Sequence, residues 1–372
     1  MKIVPTLGGL LPLLMFAACG GEAPQTSTSA PASSSSDSQS SNPSSQEGVP
    51  TKSAKPAAKQ KPKKRVRRPR INVPVVKALL GQDPAGPAAP VESTAELVAL
   101  GKALYHSEHL SQKGNLSCAS CHNLSTYGVD NLPTSPGSTG ENGERNTPTV
   151  YNAARQFRQF WDGRAESVED QAIMPVLNPI EHGLADEAAV VAKINEKPEL
   201  VAGFKEAFPE DASPVSAKNF GVAIGAFERT LVTRSRWDDY LDGNLKALTN
   251  EELHGLKTFM DVGCTQCHMT RLLGGHAYQK LGLRKPYTGK DTGRMQVTNS
   301  VADKYSFKIP TLVNIEKTAP YYHDGSVATL EEAVKTMAVR QLDKVLKDEE
   351  VAKIVTFLKA LTGPLPEEYA KK

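Results

Sequence analysis

The stretches "LSCASCHNL" (residues 116–124) and "GCTQCH" (263–268) decide how this chain is organised. Each holds two Cys separated by two residues and followed at once by His: Cys118, Cys121 and His122 in the first, Cys264, Cys267 and His268 in the second. The chain has five Cys, so the two pairs leave only Cys19 unassigned. Paired Cys in an exported protein usually read as disulfides. The His directly after each pair changes that reading to covalent haem attachment. Two thiols three positions apart on a turning backbone reach the two vinyl groups of one porphyrin, and the next residue brings its imidazole to the iron. Zinc is the competing reading, but it asks for four converging ligands and has no need of a His after both pairs. Two haem c groups are therefore expected, with His122 and His268 as axial ligands.

Outward from the motifs the pattern is helical. "STAELVALGKALYH" (93–106) spaces Leu97, Leu100 and Leu104 on one face, with Ser93 and Glu96 as a candidate capping box. "EELHGLKTFM" (251–260) leads into the second motif. "ATLEEAVKTMAVRQL" (328–342) offers Thr329 and Glu332 as a second capping box, and "DEEVAKIVTFLKALTG" (348–363) stops at Gly363-Pro364. No run of alternating strands is present. The expected fold is mainly α, with two cytochrome-c-like haem domains packed across a shared interface. A boundary near residue 245 divides a haem domain at 75–245 from one at 246–372.

The N-terminus reads as targeting and tether. "MKIVPTLGGLLPLLMFAACGG" (1–21) has the layout of a secretory signal, and its apolar run is too short and broken for a membrane span. The Ala-Ala-Cys ending resembles a lipoprotein cleavage box, which makes residues 1–18 a signal peptide and Cys19 a lipidated N-terminus. An ordinary signal peptide with a spare thiol is the alternative. Residues 19–74, rich in Ser, Pro, Ala and then Lys/Arg, are expected to be a disordered tether. That places the chain on the periplasmic side of a bacterial membrane, with Gly20 favouring the outer one. The basic run at 61–70 reads as solvated linker, with attraction to anionic lipid as the alternative. It also distorts the charge: residues 1–70 carry 11 Lys/Arg against 3 Asp/Glu, whereas the rest carries 33 against 38. The folded part is mildly acidic, and nothing in it asks for nucleic acid.

Several stretches, in order, resemble the bacterial dihaem cytochrome c peroxidases. Besides the two motifs they are "ERNTPTVYNAA" (144–154), "QFWDGRAESVEDQA" (159–172), "NPIEHG" (178–183), "TLVTRSRWDDYLDGN" (230–244) and "IPTLVNIEKTAPYYHDGSVATLEEAV" (309–334). The resemblance spans about residues 95–362 and implies reduction of hydrogen peroxide at the first haem. His122 is then the proximal ligand, and Gln171 and Glu181 belong to the peroxide side. Read alone, Glu181 is a surface turn carboxylate; the resemblance makes it the group that moves a proton between the peroxide oxygens. The second haem becomes the electron reservoir, with Met337 as its sixth ligand. Without the family, Met337 reads as helix core; Met295 and His276 are weaker ligand candidates, and Met260 and Met269 lie too close to the Cys pair. Trp161 matches an aromatic residue between the haems, a place for electron transfer. A calcium ion at the domain interface is also implied, on the Asn146 side chain and the Thr318 and Pro320 carbonyls. The resemblance implies a small donor protein, a cytochrome c or cupredoxin, and dimers are common in the family.

One position departs. In the best-known members a His in the loop after the first motif sits on the peroxidatic iron at rest. Here that position is Ser138, within "PTSPGSTGENGERN" (133–146). Glu141 and Glu144 are weak ligand candidates, and His106 or His109 could substitute. The expectation is a first haem with no strong endogenous sixth ligand, ready without reductive activation. Two other functions remain open at this point. One is a dihaem oxidase that modifies a protein side chain, which the Met at 337 disfavours. The other is a non-catalytic electron-transfer protein, which leaves Gln171 and Glu181 without purpose.

Overall fold

Two glycines inside helices mark where the molecule's two cores are closest packed. A Cβ on Gly101 would come within 1.9 Å of the Ala223 carbonyl oxygen and 2.8 Å of Phe227 Cβ. A Cβ on Gly255 would come within 2.2 Å of the Lys353 carbonyl oxygen and 2.7 Å of Phe357 Cβ. In each case a helix that precedes a Cys pair crosses a later helix, a Gly backbone against a Phe. Gly is a poor helix former, and close backbone approach explains its place here.

The computed structural model describes residues 66–370. In chain order they form α1 (Val73–Leu80), α2 (Ala95–Tyr105), α3 (Cys118–Cys121), α4 (Val168–Leu177), α5 (Glu187–Asn195), α6 (Pro198–Ala207), α7 (Ala217–Glu228), α8 (Arg236–Leu241), α9 (Asn250–Val262), α10 (Met295–Thr298), α11 (Leu330–Leu342), α12 (Asp348–Lys359) and α13 (Glu367–Ala370). Strands β1 (Tyr278–Lys280) and β2 (Ser306–Lys308) pair antiparallel, with Tyr278 opposite Lys308. The fold is mainly α, as expected.

The first core packs α2 against α7 and α6, and α7 against α4. Leu97, Leu100 and Leu104 lie on the buried face that their spacing predicts. The second core packs α9 against α12, with α11 beside α12 and α8 beside α1. The chain ends cross over. Val76 and Leu80 of α1 are buried in the second core, whereas Leu365 and Tyr369 pack on the first.

Two local expectations are corrected. The cap of α2 is Thr94, not Ser93: Thr94 Oγ1 accepts from the Leu97 amide at 3.2 Å. The helix starts one residue later than a Ser93–Glu96 box requires, so neither half of that box forms. Thr329 does cap α11, its Oγ1 accepting from the Glu332 amide. The tether expected to reach residue 74 is docked over its last described residues. Arg68 donates to the Leu245 carbonyl, Asn250 donates to the Val66 carbonyl, and Ile71 and Val73 pack on the second core. The apolar spacing of Ile71, Val73, Val76 and Leu80, with Pro74 in the first helical turn, outweighs the basic composition before it. The leader, Cys19 and residues 19–65 of the tether lie outside the described residues.

Candidate active site

The one-turn helix α3 sets Cys118 and Cys121 three positions apart, and His122 follows as its cap. The three side chains line a cavity of about 320 Å³. His122 Nδ1 lies 3.3 Å from the Gly128 carbonyl, which fixes the tautomer and leaves Nε2 for a metal. Burial lowers the His122 pKa, so the ring is neutral, as an iron ligand must be. Burial likewise pushes the Cys118 thiol up to about 12 and Cys121 to about 11. These are hindered thiols, not activated thiolates.

The second motif repeats the arrangement. Cys264, Cys267 and His268 line a cavity of about 240 Å³, and His268 Nδ1 lies 2.8 Å from the Leu273 carbonyl. Burial drops the His268 pKa to about 4. Met337, on α11, lines this cavity; Met260, Met269, His276 and Met295 do not. All four Cys are free thiols, so neither pair is a disulfide. Among the described residues no three His, Cys, Asp or Glu converge as a zinc site requires. Two thiols and one imidazole with a free Nε2, at each of two cavities, fit two covalent haem c groups.

Gln171 and Glu181 line the first cavity together with His122. Glu181 is carried by a tight turn after α4, where its amide donates to the Asn178 carbonyl at 3.0 Å. The Asn178 side chain returns a bond to Glu181 Oε1 at 2.8 Å. Burial raises the Glu181 pKa above the usual carboxylate range, against the pull of Asn178 and Arg164. His182, next to it, is 4 % exposed and is bound through Nδ1 to the Leu110 carbonyl at 2.8 Å.

Ser138 does not line the cavity. Its hydroxyl donates to Asn115 Oδ1 at 2.8 Å and accepts from the Lys113 amide at 3.1 Å. Its own amide donates to the Glu181 carbonyl at 2.8 Å, so the loop is pinned to the turn that carries Glu181. Glu144 lines the cavity, whereas Glu141, His106 and His109 line neither one.

Trp161 lines both cavities, and its indole Nε1 donates to the Asn146 carbonyl at 2.8 Å. Asn146, Thr318 and Pro320 all line the second cavity. The Asn146 side-chain nitrogen is committed to the Leu132 carbonyl at 2.8 Å, so of its side-chain atoms Oδ1 is the one able to hold a cation.

Two buried charged residues escaped the sequence reading. Glu228 lines the first cavity, and burial pushes its carboxyl up to about 8. Lys308 lines the second. The only signal was charge beside apolar residues, Glu228 and Arg229 in "GAFERT" (225–230) and Lys308 in "SFKIP" (306–310).

Fold and cavities together define a c-type protein with two haem sites. Residues 95–246 match the sequence profile of the di-haem cytochrome c peroxidase family. The cytochrome c551 peroxidase of Nitrosomonas europaea is 46% identical over 278 residues, 73% of this chain and 82% of the relative. That of Pseudomonas aeruginosa is 44% identical, covering 72% and 79%. In structure, a MauG-like protein associated with microbial copper homeostasis superposes with a TM-score of 0.68 at 28% identity, covering 85% of this chain and 99% of that one. This chain belongs to the dihaem cytochrome c peroxidase family, and it is an oxidoreductase of the peroxidase class.

Proposed function

We propose that the chain reduces hydrogen peroxide to water with electrons from a small carrier, a cytochrome c or cupredoxin, and that its first haem needs no reductive activation. The observation that carries this is the first cavity: one wall set holds Cys118, Cys121 and His122 together with Gln171 and Glu181. Haem held there by Cys118, Cys121 and His122 would supply the two electrons that O–O cleavage requires and would be refilled one electron at a time by the carrier. The Glu181 carboxylate takes the proton from the inner peroxide oxygen and returns it to the outer one, so water departs. The Asn178 bond holds that carboxylate in place during both transfers. The Gln171 amide donates to peroxide and orients it. His268 and Met337 hold the second haem, and Trp161, shared by both cavities, carries electrons between them.

The open first haem is supported by the place of Ser138, whose side chain is spent on Asn115 and Lys113. The optical and EPR spectrum of the fully oxidised protein tests it. The expected result is one high-spin and one low-spin haem; low-spin signals from both overturn it. Ser138→His is expected to create a low-spin resting site that opens only on reduction of the second haem. A variant that remains high-spin shows that this loop does not swing to the iron.

Calcium on Asn146, Thr318 and Pro320 is part of the same reading and is tested by chelation followed by metal analysis. So are the lipid at Cys19, the periplasmic side of the outer membrane as its location, and a homodimer. Mass analysis of the mature N-terminus tests the lipid.

A further inference from the structure

We infer that Lys308 holds a carboxylate inside the second cavity, a propionate side chain of the haem attached at Cys264 and Cys267, and thereby raises the potential of that haem. The inference rests on the reading that haem occupies this cavity.

The two cavities differ in their charged groups. The first is lined by Glu144, Arg145, Asp162, Arg164, Glu181 and Glu228. Its cations already have partners: Arg145 donates to Asp162 at 2.5 Å, and Arg164 donates to the same carboxylate at 2.9 Å. Among the described residues the second cavity is lined by no Asp, Glu or Arg, and Lys308 is its one lysine. Lys308 is 7 % exposed and makes no ion pair among the described residues. Its Nζ donates to a single neutral partner, Gln156 Oε1, at 2.5 Å. An ammonium has three donors, so two are left for the cavity.

A buried cation without a counter-charge is costly, and such a group tends to lose its proton instead. Burial alone holds the Lys308 pKa down at about 7, against the weak upward pull of Asp162. Asp162 makes no hydrogen bond or ion pair with Lys308: its Oδ2 accepts from both the Arg145 and Arg164 guanidiniums, and its Oδ1 accepts from the Arg164 amide. Haem brings two carboxylates of its own. One of them at Nζ supplies the missing anion and keeps the lysine charged. β2 fixes the lysine's position, because the Lys308 amide donates to the Trp161 carbonyl at 2.7 Å. The propionate is thus held next to the residue that touches both cavities.

The electrostatic consequence has a definite sign. A propionate neutralised by Lys308 adds little negative charge near the iron. Without the lysine its charge is uncompensated in a low-dielectric site and favours ferric iron. Lys308→Met in the intact holoprotein, followed by spectroelectrochemical titration and resonance Raman, tests this. The second haem is expected to titrate about 59 mV lower or more, a tenfold change in its oxidised-to-reduced ratio. The propionate bending band is expected to shift, with two haems per chain retained and the first haem's spectrum unchanged. Lys308→Gln keeps a donor in similar volume and is the second variant if Met does not fold. Lys308→Arg, which keeps the charge, is expected to hold the potential near the parent's. An unchanged potential in a folded Met or Gln variant overturns the inference. So does a lowered potential in the Met variant with an unmoved propionate band, which leaves the charge acting at a distance. A parent protein with one haem per chain overturns the haem reading itself, and the inference with it.

Discussion

Glu181 shows how much one residue's role depends on neighbours that its own sequence context hides. In "NPIEHG" it reads as a turn carboxylate, and it does sit in a turn. Its proposed role as proton carrier rests on burial in the cavity with His122, which raises its pKa. Glu181→Gln is expected to lower kcat by about 10²–10⁴-fold, the usual worth of positioned acid–base groups. The working form at the first step is the carboxylate, so activity in the parent falls as pH drops through a pKa above the ordinary range. That limb is absent from the pH profile of Glu181→Gln; a limb that persists assigns the titration elsewhere. Glu228 acts in the other direction, on stability. Its folded pKa, about 8, is raised by burial above that of the unfolded carboxyl. The contribution of its neutral form is complete below the unfolded value, about 4.3, and is lost as pH rises to about 8. Glu228→Gln avoids that loss, so its melting temperature relative to the parent is expected to climb between pH 5 and 9. Neither Glu228 nor Lys308 was legible in the sequence. A charge beside apolar residues does not say whether it faces solvent, a core or a cavity. The Cys and His spacing was legible because covalent haem chemistry dictates it residue by residue.

At the scale of elements, the amphipathic helices were readable and their close contacts were not. The Leu97, Leu100 and Leu104 stripe forms the buried face of α2, as its period requires. Gly101, in the same helix, looks from sequence like a weak point. In the structure it is where α2 meets the α7 backbone at Ala223. The same holds for Gly255 on α9 against α12, so the two cores share a packing device that no repeat in the sequence announces. Gly101→Ala gains up to about 1 kcal/mol of helix propensity in isolation. Here the added methyl collides with a carbonyl that cannot move without shifting α7, and overpacking of this kind costs about 1–3 kcal/mol. The net expectation is destabilisation, read as a lower denaturation midpoint in urea. A midpoint at or above the parent's means that the crossing is looser than the structure shows. The docked residues 66–74 teach a related lesson. Composition marked them as linker, whereas Ile71 and Val73, leading into Val76 and Leu80 of α1, tie them to the second core.

Across the whole molecule, the parts nearest the two cavities are tied by charge as well as by packing. Arg145, in the loop after the first motif, donates through Nη1 to Asp162 at 2.5 Å. Its Nε and Nη2 reach Asp291 at 2.7 and 2.9 Å, and Nη2 also reaches Gln296 at 2.9 Å. One guanidinium thus joins carboxylates that lie 129 positions apart in the chain. The Asn146 amide, next to it, donates to the His323 carbonyl at 2.8 Å. Removing the guanidinium leaves the largely buried Asp291 without its arginine and Asp162 with Arg164 alone, and breaking a buried pair in this way costs up to about 3–5 kcal/mol. Arg145→Leu is therefore expected to lower the melting temperature and to loosen the joint that positions Trp161. The pH dependence has a sign of its own. Burial pushes the Asp291 carboxyl up, but hydrogen bonds from Arg145 and the Gly293 amide outweigh it and hold the pKa below the usual value. A depressed carboxyl stabilises the fold above its unfolded pKa, and that contribution is lost as pH falls through the folded one. The gap in melting temperature between parent and Arg145→Leu should accordingly be widest near neutrality and close as the solution is acidified below about pH 4. A gap that stays constant with pH assigns Arg145 to packing alone and removes the charged clamp from the account of how the two haem sites are joined.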